Sequence, residues 1–483
     1  MSARRRELLV VLALAGLAVA VWALVRTYPN YDSSYHLAWG REILDGHKPG
    51  FDAYQAPTEH PLYLAICTLF AALFGESADR ALVLLGVLAF VGLLWAVFRT
   101  GRTVFGTWPA VVAALLVGSS FALLLYVARA YVDVPFLALV LWAAAIEAAR
   151  PRRGLPVMAL LTVAGLLRPE AWVLAGLYWL WLVAPAVRER GLRGVGRGHV
   201  GLAALALVAP VVWCLTDLWA TGDPFWSLHA TSGLAEELGR ERGVGHVPGS
   251  FVRFLSDALR PPVFLIALGG LGLALWRREA RALHVPLGLL AAGTLTFILT
   301  GLAGLSILPR YLTVPAIALA LFAGYALVGW AALPAAERLR RPWAIAFAVC
   351  VVGGLGFVAA RRSVIDRFTT ELRYIRSTHD DLRALLRTPQ VAAGRRCGPV
   401  SLPNYRLVPD TRWLLDADGE QVVARSDRGA PAAGVALVFT GEKTAKRFGR
   451  AAGVRQVTNV PPAGFTMAAR VGPMVAYVSC PAA

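Results

Sequence analysis

Residues 8–25 read LLVVLALAGLAVAVWALV, an apolar stretch of 18 residues that contains no charged side chain. A helix of this length can cross the hydrocarbon core of a bilayer, which is about 30 Å thick. Similar stretches recur along the 483-residue chain, which is 57% hydrophobic and only 16% charged. A soluble domain would carry about a quarter charged residues. The recurrence excludes a single cleaved signal peptide and predicts an α-helical polytopic membrane protein.

The apolar stretches predict about eleven transmembrane helices. They lie near residues 8–25, 80–98, 108–127, 132–149, 155–167, 170–187, 200–219, 262–276, 285–305, 311–331 and 342–360. Arginine clusters occupy every second junction: Arg4, Arg5 and Arg6; Arg99 and Arg102; Arg150, Arg152 and Arg153; Arg188, Arg190, Arg193 and Arg197; Arg277, Arg278 and Arg281; Arg338, Arg340 and Arg341. Basic loops remain in the cytoplasm, so loops 26–79 and 220–261 and the C-terminal tail are predicted to be external. The net charge of +18 therefore reflects topology and excludes nucleic acid as the partner.

The chain divides into a transmembrane domain, 1–360, and a small extracytoplasmic α/β domain, 361–483. In the first external loop, Ser33–Leu44 has helical spacing. Pro61–Phe74 is apolar but only 14 residues long, which fits a re-entrant or interfacial helix better than a full span. Both helices are expected to lie on the membrane beside a cavity. The tail begins with an amphipathic segment and continues with β-like runs at Pro399–Leu402, Val435–Thr440 and Met474–Ser479.

The cysteines allow a disulfide if the tail is external, and they predict no metal site. Cys397 and Cys480 lie near the two ends of the tail, and an oxidising compartment would allow them to form a disulfide. The sequence contains no zinc-ligand spacing and no nucleotide-binding glycine motif. No cofactor is therefore required, and a divalent cation is allowed but not indicated.

Asp32 is the first candidate for catalysis. It follows the first apolar stretch closely and has aromatic neighbours, among them Tyr31 and Tyr35. A carboxylate at this interface can act as the general base that takes the proton of an acceptor hydroxyl. The structural alternative is a helix N-cap, because aspartate before a helical run accepts backbone N–H bonds.

Two further charged groups interrupt apolar sequence on the same predicted face. Asp133 stands at the external start of a span, where it would orient an acceptor or a metal, or pair structurally with Arg129. Arg168, followed by Pro169 and Glu170, marks a helix break at the external surface or in a cavity. The alternative is a plain loop with an ion pair at its rim.

Arg310 and Tyr311 follow a predicted external junction, in LPRYLTVP. A guanidinium there can bind a phosphate through two parallel hydrogen bonds and stabilise it as it leaves. The alternative is an arginine that extends from the end of a span to the interface.

The order of these elements resembles the GT-C glycosyltransferases, in particular the group of protein O-mannosyltransferases and aminoarabinose transferases that use polyprenyl-phosphate sugars. The elements read YDSSYHLAWGREILDGHKPGFDAY from Tyr31, EHPLYLAICTLFAALFG from Glu59, ADRALVLLG, YVDVPFLAL, LLRPEAW and LPRYLTVP. The resemblance covers roughly residues 8–330, and it lies in the order and external placement of the elements.

The resemblance implies that Asp32 is the catalytic base and Asp133 a second carboxylate in the cavity. It implies that Arg310, with Tyr311 and less directly Arg168, meets the donor phosphate, while His36, His60 and Glu170 line the cavity. Two departures matter: Ser33 stands where the family often has glutamate, and His60-Pro61-Leu62 where it often has two prolines. The first departure weakens any expectation of a metal and of an acceptor type.

The expected function is transfer of a sugar from a polyprenyl-phosphate donor to an extracytoplasmic glycan, lipid or protein, with inversion. The enzyme would lie in the cell membrane, with its active site and its C-terminal domain outside the cytoplasm. A transporter or lipid flippase also places charges between spans, but such proteins often contain repeats with paired broken helices, and none is evident here. A non-catalytic scaffold that presents the C-terminal domain is the third hypothesis.

Overall fold

The computed structural model describes residues 3–277, 282–360, 363–450 and 458–480. Arg278 and Arg281 of the fifth arginine cluster lie outside these ranges. The N-terminal helices are α1 (Ala3–Leu24), α2 (Tyr31–Leu44), α3 (Pro61–Phe74), α4 (Ala78–Phe105), α5 (Thr107–Gly118), α6 (Phe121–Ala128), α7 (Asp133–Ala149), α8 (Leu155–Leu167) and α9 (Glu170–Arg190). They continue with α10 (Arg197–Thr221), α11 (Trp226–Glu237), α12 (Val247–Leu259), α13 (Pro261–Arg277), α14 (His284–Leu302), α15 (Thr313–Val328) and α16 (Arg340–Ala360).

A helix occupies each position at which the apolar pattern predicts a span. Within the described ranges, seven helices are long and apolar enough to cross a membrane, or up to nine if each bent pair is one span. One bent pair consists of α5 and α6, with an angle of 60° between them. The other consists of Val244–Leu259, which includes α12, and α13, with an angle of 105°. The chain is a multi-pass membrane protein, while the count of about eleven spans stays a prediction.

Helix α15 lies at the centre of the bundle, because 72% of the most apolar stretch of its span is buried inside the protein. The buried fractions for α1 and α16 are 0% and 6%, so these two helices are peripheral. Small residues allow the close packing. A Cβ atom on Gly324 would lie only 2.3 Å from the carbonyl oxygen of Pro109, so α15 and α5 meet backbone to backbone. The residue that begins the turn before this central helix, Pro309, directly precedes Arg310.

The first external loop forms two helices where the sequence predicts them. Helix α3 has the predicted bounds, and α2 begins two residues before the predicted segment, because Asn30 caps it. Most of α2 is buried between α3 and the C-terminal domain. The loop therefore lies between the helix bundle and the C-terminal domain.

The C-terminal domain contains α17 (Ser363–Leu386), α18 (Pro389–Gly394), α19 (Val408–Leu415), α20 (Arg425–Arg428) and α21 (Glu442–Phe448). Its strands are β1 (Val400–Leu402), β2 (Val422–Ala424), β3 (Gly434–Phe439), β4 (Thr466–Val471) and β5 (Met474–Ser479). They form one mixed sheet in the order β2-β1-β3-β5-β4. Strand β1 pairs in parallel with β2 and β3, and β5 pairs antiparallel with β3 and β4.

Cys397 and Cys480 form a disulfide, with Cα atoms 5.2 Å apart and 83 positions apart in sequence. Replacing both with serine is expected to lower the free energy of unfolding of this domain by about 4 kcal/mol, because the bridge restricts the unfolded chain. Thermal unfolding of the domain, monitored by its hydrogen exchange, measures this loss. Cys350→Ala, in α16, is the matched control. Equal unfolding temperatures for the double variant and the parent would contradict the prediction.

Candidate active site

The helix ends that face the C-terminal domain bring Asp32 and Arg310 together. Asp32 lies in the first turn of α2, and Arg310 lies in the turn Pro309–Leu312 that precedes α15. Arg310 Nη1 donates to Asp32 Oδ2 at 3.3 Å, although the two residues are 278 positions apart in sequence. Their side chains are 24% and 25% exposed. The two residues therefore form an ion pair that solvent can reach.

Asp32 is not the N-cap of its helix. Asn30 Oδ1 accepts a hydrogen bond from the backbone N–H of Ser33 at 3.0 Å and so caps α2. The alternative that Asp32 is the N-cap of α2 is therefore wrong, because Asn30 caps this helix. Among the described residues the ion-pair partner of the Asp32 carboxylate is Arg310. This leaves the carboxylate available for chemistry once Arg310 is engaged elsewhere.

A second ionic group joins three neighbouring helix ends. Arg168 Nη1 bonds to Asp133 Oδ1, and Arg168 Nε donates to Glu170 Oε1 at 2.9 Å. The side chains of Arg168 and Asp133 are buried, at 4% and 1% exposed. Burial alone would lower the pKa of Arg168, but the two carboxylates outweigh it and raise that pKa, so the guanidinium stays charged.

This ionic group corrects two expectations. Asp133 does not pair with Arg129, because Arg129 donates instead to the carbonyl oxygens of Tyr28 and Pro29. The ion pair of Arg168 and Glu170 is buried rather than at the rim of a plain loop. The predicted helix break is present, since α8 ends at Leu167 and α9 begins at Glu170. Two carboxylates hold Arg168, so Arg310 is the better candidate for a phosphate.

A small cavity with an empty volume of about 260 Å³ lies beside Arg310. Glu170 and Tyr311 border it, together with Phe136, Leu174, Gly293, Thr296, Thr313 and Val314. Arg310 Nε and Glu170 Oε2 are buried and have no hydrogen-bond partner among the described residues. Buried polar atoms are normally paired. A ligand that carries both an acceptor and a donor would satisfy these two atoms.

Below this cavity lies a larger apolar one, with an empty volume of about 690 Å³. The same three helices, α7, α9 and α14, contribute to both cavities, and Leu174 borders both. At its far end stand Glu147, Tyr178, Trp181 and His284. The two cavities therefore follow one another along the bundle. The first, beside Arg310, has charged residues in its wall, and the second is mostly apolar.

His36 and His60 lie near Asp32 but do not border the cavity beside Arg310. His36 Nδ1 is 2.7 Å from the backbone oxygen of Asp32, and the two imidazole rings stack at 5.3 Å. Burial lowers the pKa of His36 to about 4. Burial and the nearby charges of Arg168 and Arg310 hold the pKa of His60 well below its usual range. Both rings are neutral at pH 7, so they shape the wall behind Asp32 and offer a phosphate no charge.

Tyr311 packs between the two ionic groups. The guanidinium carbons of Arg168 and Arg310 lie 5.5 Å and 5.8 Å from the centre of its ring. Such cation–π contacts orient arginine side chains. The ring therefore separates Arg310 from the Asp133–Arg168–Glu170 group while supporting both.

Glu59 is a notable residue that the site assignment from sequence missed. It is 2% exposed, and both carboxylate oxygens lack a partner among the described residues. Burial, and then the charge of nearby Asp217, raises the pKa of Glu59 to about 9. Its one signal in the sequence is its position directly before His60-Pro61.

Glu59→Gln is expected to stabilise the protein at alkaline pH. The folded state holds the proton of Glu59 up to about pH 9, whereas the unfolded chain releases it near the ordinary pKa of 4.5. The unfolded state thus binds fewer protons between these values, and stability falls as the pH rises. The gain should be roughly 3–5 kcal/mol at pH 8 and close to zero at pH 4.5.

Melting temperatures of the purified protein at pH 4.5 and pH 8 measure this effect. Glu237→Gln, an exposed residue at the end of α11, is the matched control and should change neither temperature. If Glu59→Gln left the pH dependence of melting as it is in the parent, Glu59 would be ionised in the folded protein.

Among the described residues, no group of three or more histidine, cysteine, aspartate or glutamate side chains is arranged to hold a metal ion. Asp133, for which a metal was one expectation, is instead held by Arg168.

Comparisons with known proteins give one family and one fold. Residues 56–214 match the model of a family described as dolichyl-phosphate-mannose-protein mannosyltransferase. This range includes His60, Asp133 and Arg168 but neither Asp32 nor Arg310. No curated protein matches the chain.

Two solved structures match almost the whole chain. The crystal structure of ArnT from Cupriavidus metallidurans bound to undecaprenyl phosphate has a TM-score of 0.56 and 16% identity, and the match covers 97% of each chain. The apo state of the same protein has a TM-score of 0.54 and 15% identity, over 99% of this chain and 98% of that one. At this identity the likeness shows a shared fold.

Proposed function

We propose that this chain, which shares its fold with ArnT, is a membrane glycosyltransferase of the GT-C superfamily that moves a sugar from a polyprenyl-phosphate donor to an extracytoplasmic acceptor. The observation that carries the proposal is the accessible Asp32–Arg310 pair at the external ends of the helices. It joins a base and a phosphate-binding cation in one place. The undecaprenyl phosphate in the similar ArnT structure supports a carrier of this class.

The charges and the disulfide support one orientation in the membrane. The arginine clusters put the opposite ends of the helices in the cytoplasm. The Cys397–Cys480 bridge requires an oxidising compartment for the C-terminal domain. We therefore place the active site and this domain outside the cytoplasm, with the protein in the cell membrane.

In the proposed reaction, the acceptor hydroxyl attacks the anomeric carbon from the face opposite the phosphate. Asp32 takes the hydroxyl proton as the new carbon–oxygen bond forms. The bond between the anomeric carbon and the phosphate oxygen breaks, and its electron pair stays on the phosphate, whose charge Arg310 stabilises. Attack from the opposite face inverts the anomeric centre.

The Asp32–Arg310 contact also gives the order of events. With no donor bound, Arg310 holds the Asp32 carboxylate in an ion pair at 3.3 Å. A donor phosphate competes for the same guanidinium, and bidentate phosphate binding favours arginine. Binding of the donor would thus release the carboxylate at the moment the acceptor needs it.

The two cavities match the two ends of such a donor. Beside Arg310, the unpartnered Glu170 Oε2 can accept a hydrogen bond from a sugar hydroxyl, while the unpartnered Arg310 Nε donates to phosphate. The apolar cavity that follows along α7, α9 and α14 can hold the first part of the polyprenyl chain. A soluble sugar nucleotide would leave this apolar cavity unused.

The test is a donor screen with the purified protein in lipid nanodiscs. Undecaprenyl-phosphate mannose, arabinose and other sugars are offered with a panel of lipid and glycan acceptors, and mass spectrometry follows release of undecaprenyl phosphate and the gain of a sugar by the acceptor. Transfer with at least one pair supports the proposal. In a parallel assay with the protein in sealed lipid vesicles, movement of the donor across the membrane without release of undecaprenyl phosphate would favour a transporter.

A further inference from the structure

Helix α2, which carries Asp32, is enclosed on two sides. Its residues from Ser33 to Gly40 are all buried. On the membrane side it touches α3 so closely that a Cβ atom on Gly40 would lie 2.9 Å from the Cα atom of Thr68. On the other side it packs against α19 of the C-terminal domain, whose residues Val408–Trp413 are buried in turn. We call the surface between α2 and α19 the α2–α19 interface.

Charged side chains hold the C-terminal end of α2 at this interface. Arg412 of α19 bonds to Glu42, and its side chain is only 2% exposed. Arg41 stacks on the ring of Trp413, with its guanidinium carbon 3.5 Å from the ring centre. The same guanidinium donates to the backbone oxygen of Trp413 at 2.7 Å and pairs with Asp416 at 3.0 Å.

A second group of contacts holds the end of α2 that carries Asp32. Ser34, two residues after the catalytic carboxylate, donates through Oγ to Asp410 Oδ1 at 3.3 Å. His379 of α17 also reaches Asp410, at 3.3 Å, and stacks on Tyr28 at 4.5 Å between ring centres. The C-terminal domain thus contacts both α2 and the segment before it, which contains Tyr28.

These contacts are costly to break. A buried ion pair that loses one partner leaves an uncompensated charge, which is strongly destabilising for the docked arrangement. Displacement of a catalytic group by about 1 Å can lower the rate of the chemical step about 100-fold. The α2–α19 interface is therefore positioned to control the catalytic rate.

We propose that the C-terminal domain is a positioning element of the active site, in which Arg412 and Asp410 hold α2 so that Asp32 faces Arg310 and the donor. The inference rests on the proposed role of Asp32 as the base. It assigns the domain a function at the site itself, whether or not the domain also binds the acceptor. Arg412 and Asp410 are positioning residues, because they act through α2.

Charge reversal tests the proposal. Glu42→Arg and Arg412→Glu alone are each expected to lower kcat by the order of 100-fold, with the KM for the donor and the affinity for undecaprenyl phosphate unchanged, because Arg310 is not displaced. The double variant Glu42→Arg with Arg412→Glu restores the ion pair in reverse and should recover most of kcat. Phe448→Leu, in the core of the C-terminal domain away from α2, lowers the melting temperature without lowering kcat at a temperature where the protein is folded.

Hydrogen exchange of residues 31–44 provides a readout that does not depend on catalysis. Each single reversal should speed exchange in α2, the double reversal should slow it again, and α3 should be unaffected. Full kcat in both single variants, or exchange of α2 as slow as in the parent, would overturn the proposal. If the parent transferred no sugar while α2 exchanged faster in the single variants, the proposed reaction would be refuted. The C-terminal domain would still be the element that holds α2.

Discussion

Asp32→Asn is expected to lower kcat by about 10²–10⁴-fold, because asparagine cannot take the acceptor proton. The change keeps the shape of the side chain, and Asn30 still caps α2, so the helix should stay in place. Asparagine cannot neutralise Arg310, which leaves the guanidinium free for the donor phosphate. The affinity for undecaprenyl phosphate should therefore be unchanged or higher, while sugar transfer is lost.

Initial rates over a range of donor and acceptor concentrations measure this effect, alongside direct binding of undecaprenyl phosphate. Asp52→Asn is the matched control, since Asp52 is an exposed aspartate in the same loop. A variant of Asp32 that transferred sugar at the parent rate would remove it as the base and leave the reaction without a carboxylate in contact with Arg310.

Arg310→Met should weaken binding of undecaprenyl phosphate and reduce kcat by about 10²–10³-fold, because the developing phosphate charge loses its fixed partner. Methionine preserves the apolar contact with Tyr311 but carries no donor. Arg310→Lys is expected to recover part of the binding and little of the rate, since an ammonium group lacks the planar fork that matches a phosphate. The two variants separate charge from geometry.

Binding isotherms and single-turnover rates distinguish these outcomes. The matched control is Arg253→Met on α12, an arginine whose side chain is 52% exposed. If Arg310→Met bound undecaprenyl phosphate as tightly as the parent, the phosphate would lie elsewhere. Arg168 would then be the next residue to test, although Asp133 and Glu170 already hold it.

Much of the fold could be predicted from sequence because the decisive signals are local. Apolar length, arginine placement and helical spacing each depend on a short window, and a helix stands wherever they predict one. The strands β2 and β4 were missed because they give weak local signals. Strand β2 has three residues. Strand β4 pairs only with β5 and buries none of its residues fully, so it lacks an apolar pattern.

The contacts within the candidate site could not be predicted from local sequence signals. The sequence identified Asp32 and Arg310 one at a time, each with a structural alternative of similar weight. It assigned Asp133 the wrong arginine, because Arg129 is near in sequence while Arg168 is near in space. It gave no indication that Asp410 and Arg412 would reach α2, since neither lies in a motif.

The sequence by itself determined that this is a membrane protein of many helices, which loops carry its charged groups, and that its tail can form a disulfide. Only the tertiary structure decided which charges meet: Arg310 with Asp32, Arg168 with Asp133, and Arg412 with Glu42. The physical reason is the range of the interactions. Burial of an apolar helix depends on its own residues, whereas an ion pair requires two groups that helix packing brings together from distant parts of the chain.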